Sequence, residues 1–331
     1  MGLFWNRHVD DTIAVSVLTP IYNVATYLPE CLESLKAQTL KNIEFICIND
    51  GSTDDSLEIL QSYAADDPRF VIIDKPNSGY GASMNRGLDA VRGEYIGIVE
   101  SDDVASPEMF EKLYRYARRR NCDLVKSNYY EYDGETDVFQ DVFHGYRYRH
   151  VFAPRDCPTI TYCIPAIWAA LYSRQMLVDA NIRFNETPGA SFQDTSFVFR
   201  CWVAAQRAAL LRNAYLHYRV NRNESSVKSD AKVFEVCGEY AMSNEFLHED
   251  PQRLKDFGAC LQVAKFGTYR WNYNRISPAS QEEFARRWAA EYLQAESEGL
   301  LQEALFDPND WKLIRELMAD PSAFCDAHPE F

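Results

Sequence analysis

Two adjacent carboxylates, Asp102 and Asp103, are the residues in this chain best suited to chemistry. They follow the apolar run Tyr95–Val99 and precede Ser106-Pro107-Glu108, which is typical of a helix start with a serine cap. Adjacent carboxylates repel each other unless a cation or hydrogen-bond donors compensate them. Mg²⁺ or Mn²⁺ fits such a pair, because these ions prefer oxygen ligands and keep positions for substrate phosphates. A solvated acidic loop that caps the next helix is the alternative.

A second acidic segment, Asn49-Asp50-Gly51-Ser52-Thr53-Asp54-Asp55, follows the apolar run Ile43–Ile48. A turn at Gly51 followed by a helix start explains its later part, because Ser or Thr can cap the helix and the acids favour its positive end. Asp50 is not explained in this way, since a carboxylate at a strand end is costly without a partner. A functional and a structural role both stay open for Asp50.

The elements that must position these acids alternate along the first half of the chain. Short apolar runs at Ile13–Leu18, Ile43–Ile48, Phe70–Ile73 and Tyr95–Val99 predict strands, and the segments between them carry helical periodicity. This alternation predicts an α/β fold with a mostly parallel central sheet and flanking helices. In such sheets ligands bind beyond the carboxyl ends of the strands, so both acidic segments and Thr19-Pro20-Ile21-Tyr22-Asn23 should meet at one edge.

The glycines at 79, 81 and 87 follow the third predicted strand. Their spacing matches neither a dinucleotide-binding nor a P-loop pattern, so we predict a loop that turns into a closely packed helix, with Lys75 and Arg86 as nearby positive charges. Beyond residue 133 the pattern weakens. The later helices are predicted at Ser173–Ala180, Asp194–Ala205, Val233–Leu247, Leu254–Tyr269, Phe284–Leu293 and Trp311–Met318.

The composition excludes several classes of protein. The 34 basic and 49 acidic residues give a net charge of −15, which disfavours general nucleic-acid binding and a polybasic membrane anchor. The nine cysteines are odd in number and lack C-x-x-C spacing, which favours buried free thiols over disulfides or a zinc site. We expect a cytoplasmic protein whose membrane association, if any, is peripheral to the inner face.

Three segments together resemble a known family. Thr-Pro-x-Tyr-Asn after the first strand, Asn-Asp-Gly-Ser-Thr-Asp after the second and Ser-Asp-Asp after the fourth are similar, in this order, to family 2 glycosyltransferases of the GT-A fold. The resemblance covers residues 13 to 225. It implies a GT-A (Rossmann-like) catalytic domain over residues 1–225, with a nucleotide-binding half near 13–131 and an acceptor half near 132–225. A helical C-terminal region over residues 226–331 would follow.

The resemblance also implies roles for individual residues. Asp50 would bond the base, typically uracil, Asp102 would approach the ribose or the metal, and Asp103 would coordinate Mn²⁺ or Mg²⁺ on the diphosphate. Asp194, in Phe192-Gln193-Asp194, would be the general base, although it also suits the N-cap of a helix Thr195–Ala205. The remaining implied contacts to the nucleotide-sugar donor are Thr19, Pro20, Tyr22, Arg219 and Ser226.

The implied reaction is the inverting, metal-dependent transfer of a sugar from a nucleotide-diphosphate sugar, typically UDP-linked, to a hydroxyl of a carbohydrate or glycolipid acceptor. Such an enzyme would serve cell-surface polysaccharide or glycolipid synthesis. A non-catalytic nucleotide-sugar-binding protein is one alternative, because Glu100 and Gln193 stand where the family has Asp and Glu. A nucleotidyltransferase is another, but it would carry a Gly-rich basic segment in place of Thr19–Asn23.

Several residues keep two interpretations. Trp168 either floors a sugar subsite or packs in the core, which is the commoner fate of tryptophan. His217 either reaches a metal or phosphate or, more simply, is a core histidine. Arg219, Arg222 and Lys228 are candidate diphosphate ligands or a solvated basic face. The C-terminal helices are left with three roles: covering the site, binding acceptor, or forming a homo-oligomer.

Overall fold

The computed structural model describes residues 13–221 and 232–330, which divide into two compact units. Residues 13–157 and 164–221 form the first, which is built on a β-sheet. Residues 158–163 and 232–330 form the second, which is helical. Ser226, Arg222 and Lys228, for which the sequence suggests donor contacts, lie outside the described residues.

The first unit contains a ten-stranded mixed sheet with the strand order β3-β2-β1-β4-β9-β6-β10-β5, in which β7 pairs with β6 and β8 with β10. The strands are β1 Val15–Ile21, β2 Ile43–Asp50, β3 Phe70–Lys75, β4 Tyr95–Ile98, β5 Val104–Ala105, β6 Leu124–Tyr132, β7 Asp137–Gln140, β8 Val151–Phe152, β9 Ala170–Ser173 and β10 Ala208–Arg219. The first four strands are parallel, whereas β9 runs antiparallel between β4 and β6. The predicted α/β class with a mostly parallel sheet is confirmed.

Six helices flank this sheet in the described part of the first unit: α1 Leu28–Lys36, α2 Ser56–Asp66, α3 Tyr80–Ala90, α4 Met109–Arg120, α5 Arg174–Asp179 and α6 Gln193–Ala204. The apolar periodicity of α1 faces the core, where Leu28, Cys31, Leu32 and Leu35 are buried. Since α1 to α3 connect parallel strands, the carboxyl ends of β1, β2 and β4 lie at one edge of the sheet.

Strand β1 does not end at Thr19-Pro20 but continues through both residues to Ile21. Proline has no N–H to donate, so it is expected at strand ends or edges. Here β2 pairs with β1 along its full length, whereas β4 pairs only with Val15 to Leu18. Pro20 therefore lies beyond the last β1–β4 pair, where the missing N–H disrupts no pairing with β4.

Ser106 is not the cap of α4, contrary to the prediction. The helix begins at Met109, and Glu108 precedes it without a side-chain cap bond. Ser106 follows β5 and bonds β10 instead: its N–H donates to Tyr215 O at 2.7 Å, and its Oγ lies 3.3 Å from His217 Nε2.

The glycine-rich segment forms the predicted close contact. Gly79 precedes α3 with a φ of 91°, which lies in the region that favours glycine. A Cβ at Gly81 would lie 1.8 Å from the carbonyl oxygen of Asn185. The glycines therefore allow the start of α3 to approach residues 185–189, as the packing interpretation requires.

The helices of the second unit are α7 Glu235–His248, α8 Pro251–Arg275, α9 Pro278–Ser297, α10 Pro308–Ala319 and α11 Pro321–Ala327. They enclose an aromatic core in which Tyr269, Phe284, Trp288 and Tyr292 are fully buried. Within residues 13–221 and 232–330, no helix combines the length and apolarity needed to cross a membrane. All nine cysteines are free thiols.

Candidate active site

The loops after β1 and β2 are bonded to each other at the carboxyl edge of the sheet. The Asn23 N–H donates to Ser52 Oγ at 3.1 Å, and the Ala25 N–H donates to Asp54 Oδ2 at 2.9 Å. Ser52 and Asp54 thus hold the first loop. Ser52 was expected as a possible cap of α2, but the residue before this helix is Asp55, which makes no side-chain cap bond.

Asp50 ends β2 with both carboxylate oxygens engaged. Its Oδ1 accepts from the Ser78 N–H at 2.8 Å and forms an ion pair with Lys75, and its Oδ2 accepts from the Gly79 N–H at 3.0 Å. Asp50 therefore anchors the loop before α3, which supplies the partners that the sequence left unidentified. The role of Asp50 as a ligand of the base stays a prediction.

The expected nucleoside contacts differ in their exposure. Thr19 is fully buried, and Pro20 is buried beside it in β1. Tyr22, just past the strand, is 51% exposed. Of these three side chains, only that of Tyr22 presents a broad surface to a ligand.

Asp103 is fully buried and only half satisfied. Its Oδ1 accepts the Arg219 N–H at 2.9 Å, whereas its Oδ2 has no hydrogen-bond partner. Burial raises the pKa of Asp103 well above its usual range, and the neighbouring Asp102 carboxylate raises it further. The Asp102 side chain is only half-buried. The pair therefore combines a shielded, under-coordinated carboxylate with a more accessible one.

Glu100 stands where the family has Asp, and its side chain forms a hydrogen bond with α3. Its Oε1 accepts the Tyr80 hydroxyl at 2.7 Å. Tyr80 is the first residue of α3, so this bond joins the loop that carries the acid pair to the helix behind Asp50. The sequence offered no signal for this contact, because the two residues lie 20 positions apart in different elements.

Arg219, expected at the diphosphate, ends β10 and is almost fully buried. Its Nε donates to the Asp102 carbonyl oxygen at 2.9 Å, and its guanidinium forms an ion pair with Glu30 of α1. The rings of Tyr27 and Tyr132 lie 5.0 and 4.9 Å from the guanidinium carbon. Arg219 therefore holds the Asp102–Asp103 loop against α1. Diphosphate binding by Arg219 stays a prediction.

Asp194 lies in the first turn of α6, which begins at Gln193. The expected N-cap role is therefore wrong, because Phe192 occupies that position. Burial raises the pKa of Asp194 to about 6, while backbone N–H groups of the first helical turn and the charge of Lys126 act in the opposite direction. At neutral pH Asp194 is mostly ionised and can accept a proton.

Gln193, where the family has Glu, serves the loop before α6. Its Oε1 accepts the Ser191 N–H at 2.6 Å, and its Nε2 donates to Thr187 Oγ1 at 2.8 Å. These bonds fix residues 187–191, which form the turn that precedes Asp194. An amide suits this position because the side chain both accepts and donates.

Two tyrosines connect Asp194 with the acid pair. Burial raises the pKa of Tyr218 to about 12 and that of Tyr80 well above its usual range. The charges of both Glu100 and Asp194 act on each hydroxyl in the same direction. The charges of Asp103 and Asp102 also raise the pKa of Tyr218. Tyr80 also donates its N–H to Gly189 O at 2.9 Å, so the turn before α6 and the loop that carries the acid pair both bond the start of α3. The predicted base and the predicted metal carboxylates therefore lie on segments that meet at Tyr80.

Trp168 is buried, whereas His217 is half-buried and not a core histidine. His217 bonds Asp137 through Nδ1 at 2.7 Å and stacks on Tyr130 with ring centres 5.1 Å apart. Trp168 is 8% exposed and packs against Tyr129 and Tyr218. A ligand role for either residue stays a prediction.

The acid pair fits a divalent cation that is shared with a phosphate ligand. Among residues 13–221 and 232–330, no group of three or more His, Cys, Asp or Glu side chains could hold a metal ion unaided. The unpartnered Oδ2 of Asp103 nevertheless requires positive charge or donors. Mg²⁺ and Mn²⁺ suit this site, because they are commonly bound by one or two carboxylates plus substrate phosphates.

The family comparison matches residues 16–177 to the model described as "Glycosyl transferase family 2". EpsH of Bacillus subtilis (strain 168), which carries a glycosyltransferase name, is 34% identical over 261 residues. The alignment spans 75% of this chain and 72% of EpsH. The matched range 16–177 includes the segments of this chain that carry Asp50, Asp102 and Asp103.

Solved structures share the fold at low sequence identity. TarS of S. aureus (residues 1–349), solved with UDP-GlcNAc, aligns with a TM-score of 0.58 at 18% identity and covers 96% of this chain and 93% of its own. The mannosyltransferase PcManGT of Pyrobaculum calidifontis, solved with GDP-Man and Mn²⁺, aligns with a TM-score of 0.52 at 15% identity, over 99% of this chain and 92% of its own. These likenesses establish the GT-A architecture.

Proposed function

The chain belongs to glycosyl transferase family 2, and from this premise we propose that it transfers a sugar from a UDP-sugar to a hydroxyl of a carbohydrate or glycolipid acceptor, with inversion at the anomeric carbon. The observation that carries the proposal is that the turn before Asp194 and the loop of the under-coordinated Asp103 both bond Tyr80 at the start of α3. The two groups match the two charges that the reaction creates. Asp194 accepts the proton of the acceptor hydroxyl. Asp103 would hold the cation that neutralises the negative charge of the departing diphosphate.

The proposed chemistry begins at the acceptor hydroxyl. Its pKa lies far above neutrality, so a carboxylate must take its proton while the new glycosidic bond forms, which contributes on the order of 10²–10⁴-fold. A pKa of about 6 keeps Asp194 ionised at pH 7 and still basic enough to accept the proton. Attack from the side opposite the diphosphate breaks the sugar–phosphate bond and inverts the anomeric carbon.

Asp102 and Asp103 would hold the divalent cation at the leaving diphosphate. When bound, Mn²⁺ or Mg²⁺ supplies a positive charge that stabilises the diphosphate without transferring a proton. The chain provides the two carboxylates, and Arg219 keeps their loop in place through the Asp102 carbonyl. TarS was solved with UDP-GlcNAc and PcManGT with GDP-Man and Mn²⁺, which supports a nucleotide-sugar donor and a metal for this chain.

Tyr22 and Asp50 are the proposed contacts to the nucleoside. The exposed Tyr22 ring at the end of β1 can stack on a base. Asp50 remains capable of a further bond because a carboxylate has about four lone-pair sites. The name of EpsH specifies neither a donor sugar nor an acceptor, so a role in cell-surface polysaccharide or glycolipid synthesis is part of the proposal.

The test is a thermal-melt screen of UDP-, GDP- and dTDP-sugars, each with and without Mn²⁺. We expect a UDP-sugar to raise the melting temperature, and Mn²⁺ to increase that shift. The sugar that stabilises best then enters a transfer assay with oligosaccharide and glycolipid acceptors. Stabilisation by a GDP- or dTDP-sugar alone would contradict the proposed donor, and stabilisation by none would contradict the proposed function.

A further inference from the structure

Trp168 and Tyr218 form an aromatic pair whose two members differ in exposure. The carboxylates that act on the Tyr218 hydroxyl are those of Glu100, Asp102, Asp103 and Asp194. Trp168 is 8% exposed, whereas Tyr218, on β10, is 37% exposed. The two rings stack with centres 4.9 Å apart and an interplanar angle of 20°. Tyr218 is therefore the member of the pair that a ligand can reach, and Trp168 is its support.

The exposed ring is held rigidly. Trp168 also meets the buried Tyr129 edge to face, with ring centres 4.5 Å apart and an angle of 82°. Tyr129 in turn lies 6.2 Å from Tyr218 at 80°. With one face on Trp168 and an edge near Tyr129, the Tyr218 ring loses little further freedom when a ligand covers its open side. Such preorganisation lowers the cost of binding.

The position of the ring identifies what would cover it. The next residue along β10, Arg219, donates its N–H to Asp103 Oδ1 at 2.9 Å, so Tyr218 lies directly beside the acid pair. Asp194 and Glu100 act on the same hydroxyl. In the proposed reaction the diphosphate lies at the acid pair and the acceptor hydroxyl at Asp194. The group between them is the sugar that is transferred.

We infer that Tyr218, supported by Trp168, is the stacking platform for the sugar ring of the donor and selects an uncharged sugar. This inference rests on the proposed function. Apolar C–H faces of a sugar pack on an aromatic ring, and the surrounding carboxylates accept hydrogen bonds from its hydroxyls. Glu100 and Asp194, which the proposed metal does not bind, repel an anionic sugar, because like charges in a shielded site disfavour each other. Uronic acid donors should therefore be rejected.

The experiment measures calorimetric binding of UDP, UDP-glucose, UDP-N-acetylglucosamine and UDP-glucuronate in the presence of Mn²⁺. The proteins are the wild type, Tyr218→Phe, Tyr218→Leu and the control Phe139→Leu, which alters an exposed ring on β7 that contacts Tyr130. In the wild type we expect a neutral UDP-sugar to bind at least about 5-fold more tightly than UDP, and UDP-glucuronate not to. Tyr218→Leu should remove this advantage while leaving the Kd for UDP within about 2-fold. Tyr218→Phe and Phe139→Leu should keep it.

Each outcome decides the inference. A Tyr218→Leu variant that retains the preference for the neutral UDP-sugar, or a wild type that binds UDP-glucuronate as tightly as UDP-glucose, would overturn it. A wild type that binds UDP with Mn²⁺ but gains nothing from any sugar would also overturn it and leave the nucleotide site intact. A wild type that binds none of the four ligands would contradict the proposed function itself. Thermal melts of all variants separate loss of binding from loss of folding.

Discussion

Two buried carboxylates lie at opposite ends of the parallel strands, Glu44 near the amino end of β2 and Asp103 beyond the carboxyl end of β4. Of these two, only Asp103 has an oxygen without a hydrogen-bond partner. Glu44, near the start of β2, accepts from Ser16 Oγ at 2.5 Å, from the Arg92 N–H at 3.0 Å and from Arg92 Nε at 2.8 Å. Asp103, beyond the end of β4, accepts one backbone N–H and keeps an unpartnered oxygen beside Asp102. Both residues are buried, so burial alone does not separate them.

The difference teaches how to separate a structural acid from a functional one. A fold stabilises a buried carboxylate by supplying donors, as it does at Glu44. Where the fold supplies too few donors to a buried carboxylate and places other acids near it, we expect a ligand or cation to supply the compensating positive charge. The predictions below test this contrast by changing one side of it at a time, in order of decreasing expected effect.

Replacing Asp194 by Asn should have the largest effect on catalysis. The variant cannot take the proton of the acceptor hydroxyl, so kcat for transfer should fall on the order of 10²–10⁴-fold. The Kd for UDP with Mn²⁺ should stay unchanged, because Asp194 belongs to the acceptor side. Steady-state assays and calorimetry on the same preparation measure both. Transfer at the wild-type rate would remove Asp194 as the base.

The pH dependence of the wild type should follow Asp194. Because the base must be deprotonated, kcat/KM should rise with pH through the pKa of about 6 and level off above pH 7. One pH unit below the pKa, only about a tenth of the carboxyl groups are ionised, so activity at pH 5 should be roughly a tenth of the plateau. A flat profile between pH 5 and 7 would count against this assignment, provided that UDP binding is constant over that range.

Replacing Glu44 by Gln should have the smallest effect on function and a clear effect on stability. Loss of its charge-assisted bonds to Arg92 should cost about 2 kcal/mol in the free energy of unfolding, read from urea denaturation. Binding of UDP with Mn²⁺ should be unaffected, because Glu44 lies at the opposite edge of the sheet. A loss of UDP binding without a loss of stability would reverse the contrast between the two edges.

The sequence predicted the carboxyl edge well because parallel βαβ order determines where strand ends meet. Asp102 and Asp103 could be assigned to the edge from the strand that precedes them and the order of the elements. Asp194 could not be placed in this way, because α6 lies between β9 and β10, where the sheet is mixed and strand order does not determine which ends meet. Only the family resemblance singled it out, and in the structure the turn that precedes it bonds Tyr80 through Gly189.

What the sequence did not reveal depends on long-range pairing. No strand was predicted at β6 or at β10, and β10 lies where the alternating pattern has weakened. Arg219 meets Glu30 across 189 positions, and Ser106 is drawn to β10 instead of capping α4. Tertiary contacts outweigh local preference at such positions. Glu100 and Gln193 depart from the family pattern in sequence, and only the fold shows their partners: Tyr80 for Glu100, and Ser191 and Thr187 for Gln193.

The most direct test of the central claim compares Mn²⁺-dependent UDP binding in the wild type, Asp103→Asn and Glu44→Gln by calorimetry. Asp103→Asn keeps an oxygen for the Arg219 N–H and replaces the charged second oxygen by an amide NH₂, which cannot bind a cation. We predict that Mn²⁺ tightens UDP binding at least about 10-fold in the wild type and in Glu44→Gln, and has no such effect in Asp103→Asn. Equal tightening in all three proteins, with Asp103→Asn folded, would contradict the assignment of the acid pair to a metal-bound diphosphate.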